Sequence, residues 1–202
     1  MAWKWRTLED GTVETDRGQG FGTDVFGPAD YPSAKTLGWK ALARKHARLH
    51  HVPLSWVLAV IYAESGGVQG AVSPVGAVGL MQIMPASHPD CGTKQQLLAD
   101  PDRNILCGTK YLAWALQRGN DLPRSASIYN AGPSAKTGGP KKNPAAPWGL
   151  AENEGYIARV VRANNSFAAM GINRGSPWAG MFVAVLGAAA TAILEVARRR
   201  RG

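Results

Sequence analysis

The chain has 202 residues, 45% of them hydrophobic and 18% charged, a composition ordinary for a globular protein and a length that suits one compact domain with appendages. Its formal net charge is +9, of which the terminal run Arg198 to Arg201 supplies four, leaving +5 for the remainder. A basic body favours anionic partners, whether wall polymer, nucleic acid or lipid headgroup. The two cysteines, Cys91 and Cys107, fit no common zinc spacing, and the histidines do not surround them in sequence, so no metal site of the usual pattern is expected. A disulfide and a pair of free buried thiols both stay open.

From the N-terminus, Met1 to Arg6 is basic and aromatic, but Leu8 to Asp16 is polar, so no signal-peptide core follows. Residues 1–32 are rich in Gly, Asp and Thr, show no clear period, and read as an irregular arm. A helix is expected over 33–50, capped by Ser33, with Trp39, Leu42 and Leu49 on one face and His46 on the apolar side. Its five cations (Lys35, Lys40, Arg44, Lys45 and Arg48) read as a solvated face. A second helix starts at Pro53, a residue suited to the first turn, and stops at Gly66-Gly67. It is apolar nearly all round, which marks it as the central buried helix, and Glu64 is its single charged residue. Residues 68–78 form a loop, and GLMQIMP a short helical turn ended by Pro85. Asp100-Pro101 caps and opens a helix reaching about Arg118, followed by a short helix over 123–131, a loop through KTGGPKKNPAAP, and an amphipathic helix over 152–167 that buries Tyr156, Ile157, Val160 and Val161. With no convincing strand pair and no internal repeat, the fold class is mainly α.

Glu64 lies at the end of an apolar helix. Burial and the negative end of the helix dipole both raise a carboxyl pKa, and a carboxyl protonated near neutral pH is what a general acid for glycosidic cleavage requires. On this segment alone, a capping or salt-bridged glutamate fits equally well. The blocks around it are more specific. In order they are IYAESGG, SPVGAVGLMQIMP, NI..G..YL, IYNAGP and AENEGYIARV, and together they run from about residue 54 to 162. This series resembles the soluble lytic transglycosylase domain, a lysozyme-like fold grouped in glycoside hydrolase family 23.

The resemblance implies a catalytic domain over 33–170 in which Glu64 is the catalytic acid/base. It implies a substrate-binding set of Ser65, Ser73, Met81, Gln82, Tyr129, Asn130, Glu152 and Tyr156. Ser73 falls in the loop expected to close on substrate, and Met81 and Gln82 at positions lining the sugar site. The Tyr129-Asn130 pair is expected to face the catalytic carboxyl, the tyrosine hydroxyl holding it. Asn153 stands where the family more often has threonine. No second carboxylate falls in the motif blocks on the substrate side, whereas ordinary glycosidases need two. A lytic transglycosylase needs one: it protonates the bond between N-acetylmuramic acid and N-acetylglucosamine, then takes the proton from the muramic 6-hydroxyl, leaving a 1,6-anhydro sugar. No cofactor or metal is implied. The partner is the peptidoglycan glycan strand, and no specific nucleic acid. A hydrolytic lysozyme of the same fold is the alternative.

The C-terminal part completes the plan, with a linker over 171–177, a membrane-spanning helix from Trp178 to Ala197, and a basic tail over 198–202. The span is 20 residues long, with only Thr191 and Glu195 polar, and a bilayer core needs about that length. Trp178 sits at one boundary and the arginine run at the other, suited to membrane lipid. A buried helix packed on the catalytic domain is the competing account. Single-pass anchoring would face the enzyme toward the wall or periplasm. A muralytic domain of this kind suits a phage particle opening the wall for genome delivery, with other virion proteins as partners; a conjugation or secretion complex of the envelope is the alternative.

Overall fold

In the computed structural model, the described residues are 4–16, 20, 22, 33–119, 121–132 and 151–174. The elements in chain order are β1 (Lys4–Thr7), β2 (Val13–Asp16), α1 (Ala34–Gly38), α2 (Lys40–Leu49), α3 (Leu54–Ser65), a 3-10 turn (Pro89–Cys91), α4 (Lys94–Ala99), α5 (Pro101–Gly119), α6 (Leu122–Ala131) and α7 (Ala151–Ala169). The class is mainly α, with the helices arranged around α3.

The all-round apolar reading of α3 holds: Trp56, Val57, Leu58, Ala59, Val60 and Ile61 are fully buried. It packs against α7, α2 and α1, while α5 and α6 pack on each other and α6 on α7. α3 ends where glycine permits a left-handed backbone. Gly66 has φ 62° and its N–H returns to the Tyr62 carbonyl at 3.0 Å. Gly67 is required for space as well, because a Cβ there would lie 2.6 Å from the Thr36 backbone nitrogen. α1 therefore abuts the end of α3, with Ser33 capping α1 through Thr36 N and the Trp39 ring nitrogen donating to the Gly67 carbonyl at 2.9 Å. That contact divides the single helix expected over 33–50 into α1 and α2. His46 is buried, as expected, and its Nε2 meets Asp102 at 2.8 Å.

Two expectations are corrected. The first concerns the arm: residues 4–16 are not irregular but form an antiparallel hairpin pairing Lys4 with Asp16 and Thr7 with Val13. Its turn is organised by Asp10, which accepts from Thr12 N at 2.8 Å, and by Gly11 at φ 88°. Asparagines bind the hairpin to the domain. Asn165 accepts from Val13 N at 2.8 Å and donates to Val13 O at 2.9 Å, standing in for a neighbouring strand. Asn164 donates to the Gly11 carbonyl at 2.8 Å and Asn173 to the Asp10 carbonyl at 3.1 Å. The Trp5 ring nitrogen meets Asp121, the N-cap of α6, at 2.9 Å.

The second is the GLMQ segment, which is a tight non-helical turn. Val78 and Ile83 exchange both backbone hydrogen bonds at 3.0 Å, with Gly79 at φ 78° and Gln82 at φ 48°. Asn104 of α5 holds this turn, accepting from Met81 N at 2.9 Å and donating to Val78 O at 3.0 Å. A Cβ on Gly79 would lie 2.2 Å from the Asn104 amide nitrogen, and one on Gly108 2.4 Å from the Met81 sulfur. The glycines in these blocks are thus sites of close approach.

Cys91 and Cys107 are joined by a disulfide, their Cα atoms 5.9 Å apart, which ties the 3-10 turn to α5. No helix among the described residues is long and apolar enough to cross a membrane. The loop over 133–150, the span from Trp178 to Ala197 and the arginine tail lie outside the described residues.

Candidate active site

A cleft of about 410 Å³ opens over the C-terminal end of α3. Glu64 lines it together with Ser73, Gln82, Tyr129 and Asn130, so five of the residues singled out in the sequence share one cavity. Glu64 is there because α3 ends one residue later, which leaves its side chain at the helix mouth rather than in the core. Among the described residues that line the cleft, it is the one carboxylate. The nearest candidates in sequence are engaged elsewhere: Asp90 with Lys110 at 3.1 Å, Asp100 with the Arg103 backbone at 3.0 Å, and Asp102 with Lys45 at 2.7 Å.

The carboxyl is partly buried, and the Tyr156 hydroxyl donates to its Oε1 at 2.6 Å. Burial pushes Glu64 up to about 7, while the Tyr156 hydrogen bond and the Arg159 guanidinium pull it down. The balance leaves a group that is an acid below neutrality and a base just above it. Burial also raises the Tyr156 and Tyr129 hydroxyls well above the ordinary tyrosine value, so both remain donors across the working range.

Three site expectations are revised by the geometry. The tyrosine that holds Glu64 is Tyr156, on α7; the Tyr129 hydroxyl instead donates to the Met81 carbonyl at 2.8 Å. Met81 is fully buried beneath α5 and reaches the site only through that carbonyl. Ser65 turns away from the cleft, donating to Ile61 O at 3.1 Å and Leu80 O at 2.8 Å. It ties the turn over 79–82 to the end of α3. Gln82 spans the same loop, donating to Ala71 O at 3.3 Å and Gly79 O at 2.9 Å. Ser73 accepts from Ala77 N at 2.9 Å, which folds the Ser-Pro-Val-Gly-Ala loop back over the cleft. The side chain of Glu152 lies outside the described part.

Other lining residues escaped the sequence reading. His88 and Tyr111 meet edge to face at 4.8 Å, and the Tyr111 ring lies 5.2 Å from Tyr129. His88 lies just after GLMQIMP and Tyr111 inside NI..G..YL, so an aromatic in or beside a recognised block was the available signal. The result is an aromatic wall beside a single protonatable carboxyl, suited to a sugar ring and its glycosidic oxygen.

The sequence profile described as the transglycosylase SLT domain matches residues 41–146. The soluble lytic murein transglycosylase of Escherichia coli K12 is 39% identical over 107 residues, covering 48% of this chain and 16% of that protein. The transglycosylase of Enterobacteria phage PRD1 is 32% identical over 127 residues, 63% of this chain and 43% of that protein. The solved 70 kDa soluble lytic transglycosylase of E. coli superposes with a TM-score of 0.56 at 28% identity, over 69% of this chain and 26% of that one. The chain thus spans less than half the length of these curated relatives.

Proposed function

The chain belongs to the transglycosylase SLT domain family, and from that premise we propose that it is a peptidoglycan lytic transglycosylase in which Glu64 alone serves as acid and then base. The reading is carried by one observation: among the described residues, the cleft presents a single carboxylate, raised to about 7, with a neutral hydroxyl donating to it. Protonated Glu64 delivers its proton to the oxygen between N-acetylmuramic acid and N-acetylglucosamine, and that bond breaks. The carboxylate left behind is held by Tyr156 and takes the proton of the muramic 6-hydroxyl, whose oxygen closes on C1 of the same sugar. The product is a 1,6-anhydro end. Closing the ring within one sugar needs no activated water, and so no second carboxylate. Gln82 and Asn130 supply polar contacts to the glycan.

Likeness to the PRD1 protein supports a role in opening the wall for phage genome delivery. The sequence from Trp178 to Ala197 supports a single-pass anchor that would keep the enzyme near the wall.

The test uses Glu64→Gln on purified sacculi with mass spectrometry of the products. Wild type is expected to leave ends lighter by one water than hydrolytic products, and the glutamine variant none. Reducing ends as the main product would turn the reading to a hydrolytic lysozyme. Detection of the protein in purified virions tests the phage role.

A further inference from the structure

α3 carries no basic residue in its last turn, although its negative end lies directly beside Glu64. Four carbonyls in and before its last turn have identified donors. Ser65 Oγ donates to Ile61 O at 3.1 Å, Gly66 N to Tyr62 O at 3.0 Å and Val68 N to Ser65 O at 3.1 Å. The Ala63 carbonyl, adjacent in the chain to Glu64, receives Arg159 Nη1 at 3.4 Å. Of these donors only Arg159 is charged, and it comes from another helix. It follows Tyr156 by three residues on α7, so the hydroxyl on the Glu64 carboxyl and the guanidinium on the preceding carbonyl descend from one helical face.

We infer that Arg159 is a positioning residue for the first proton transfer: its guanidinium offsets the negative end of α3 and stabilises the Glu64 carboxylate that forms as the proton leaves. The inference rests on Glu64 being the acid/base. After bond cleavage, Glu64 is an anion at the wrong end of a helix dipole, partly buried. Tyr156 stabilises it by a hydrogen bond, and the Arg159 cation is the charge that opposes the dipole. Its exposed side chain makes the effect a modest, screened one. Among the described residues that line the cleft, the other titratable groups are Tyr129 on α6, Tyr111 and His88. Burial raises both tyrosines, so they stay neutral, and His88 is common to every variant compared.

The experiment compares kcat and KM against pH for the full chain as wild type, Arg159→Gln, Arg159→Lys and Glu64→Gln, on soluble peptidoglycan strands. Removing the charge is expected to move the alkaline limb of kcat/KM up by roughly half a pH unit. It should also lower kcat several-fold with KM nearly unchanged. Lysine should restore the limb, since the charge is what matters. A role confined to folding would shift the thermal midpoint and leave the limb in place. Superimposable limbs for wild type and Arg159→Gln, or an equal displacement by lysine, overturn the inference. If glutamine disturbs folding, Arg159→Met keeps the length of the stem and serves as the neutral variant. An active Glu64→Gln would instead overturn the acid/base reading, so the two failures are told apart.

Discussion

Breaking the bridge between Cys91 and Cys107 offers a direct measure of how the cleft wall is held. The two residues are 16 apart in sequence. Closing a loop of that size lowers the entropy of the unfolded chain by an amount worth about 3 kcal/mol at 25 °C. For a domain of this size, each kcal/mol moves the melting temperature by roughly 2–4 °C, so Cys91→Ser/Cys107→Ser should melt roughly 6–12 °C below wild type. The bridge lies three residues from His88, a lining residue, and without it that turn is still linked to α5 by the Arg103 guanidinium on the Cys91 carbonyl at 3.4 Å and by the Asp90–Lys110 ion pair at 3.1 Å. Activity near the melting temperature should therefore fall before secondary structure does. Circular dichroism melts with and without a thiol reductant provide the assay. Reductant should lower the midpoint of wild type to that of the double variant and leave the double variant unchanged. Midpoints within 2 °C, or two titratable thiols in the denatured, unreduced protein, would refute the reasoning.

Glu64 should also make the fold less stable at alkaline pH. Its folded pKa is about 7 against an ordinary value of 4.5. The folded state therefore holds the proton more tightly, and stability is lost as pH rises from the lower value through the upper one. Glu64→Gln should match wild type near pH 4 and exceed it at pH 8, by up to about 3 kcal/mol in urea unfolding; equal stability at pH 8 would contradict this. Tyr156→Phe removes the hydroxyl from the carboxylate, a charged hydrogen bond worth about 1.5–3 kcal/mol, so kcat should drop roughly tenfold to a hundredfold. Steady-state kinetics at pH 6 decides it, and an unchanged kcat would return Tyr156 to a packing role. Asn104→Ala leaves the buried Met81 N–H without its partner, while the Val78 carbonyl keeps the Ile83 N–H, and should cost roughly 1–3 kcal/mol in the same unfolding assay; a loss below about 0.5 kcal/mol would mean that the turn over 79–82 holds without Asn104.

The helices were legible where local chemistry decides their ends. Ser33, the Pro53 to Gly66 interval and Asp100 each mark a boundary through groups a few residues away, and those boundaries are present. The hairpin was not legible because each strand has four residues and its partners, Asn164, Asn165 and Asn173, lie some 150 residues on. The turn over 79–82 was misread as helical for the same reason: its geometry is set by Asn104, from α5. In the site, the blocks located the carboxyl that lines the cleft but could not separate residues that face the cleft from residues that hold it together. Ser65 and Met81 are engaged with the Leu80 carbonyl and with Asn104, contacts the blocks do not reveal. Tyr129 and Tyr156 are both tyrosines in recognised blocks, and only the packing of α7 against α3 decides which one reaches Glu64.

The clamp between Asn173 and the Asp10 carbonyl joins groups 163 residues apart. During synthesis at roughly 5–20 residues per second, the hairpin strands leave the ribosome roughly 8–30 s before Asn173 is made. Until then the hairpin is an orphan with two open edges, a condition that invites pairing with other nascent chains. Its sequence answers the hazard: in KWRT and VETD only Trp5 and Val13 are apolar, and both find their places late. The hairpin thus cannot be fully clamped until Asn173 has been made, and its complete docking would report that α7 is in place.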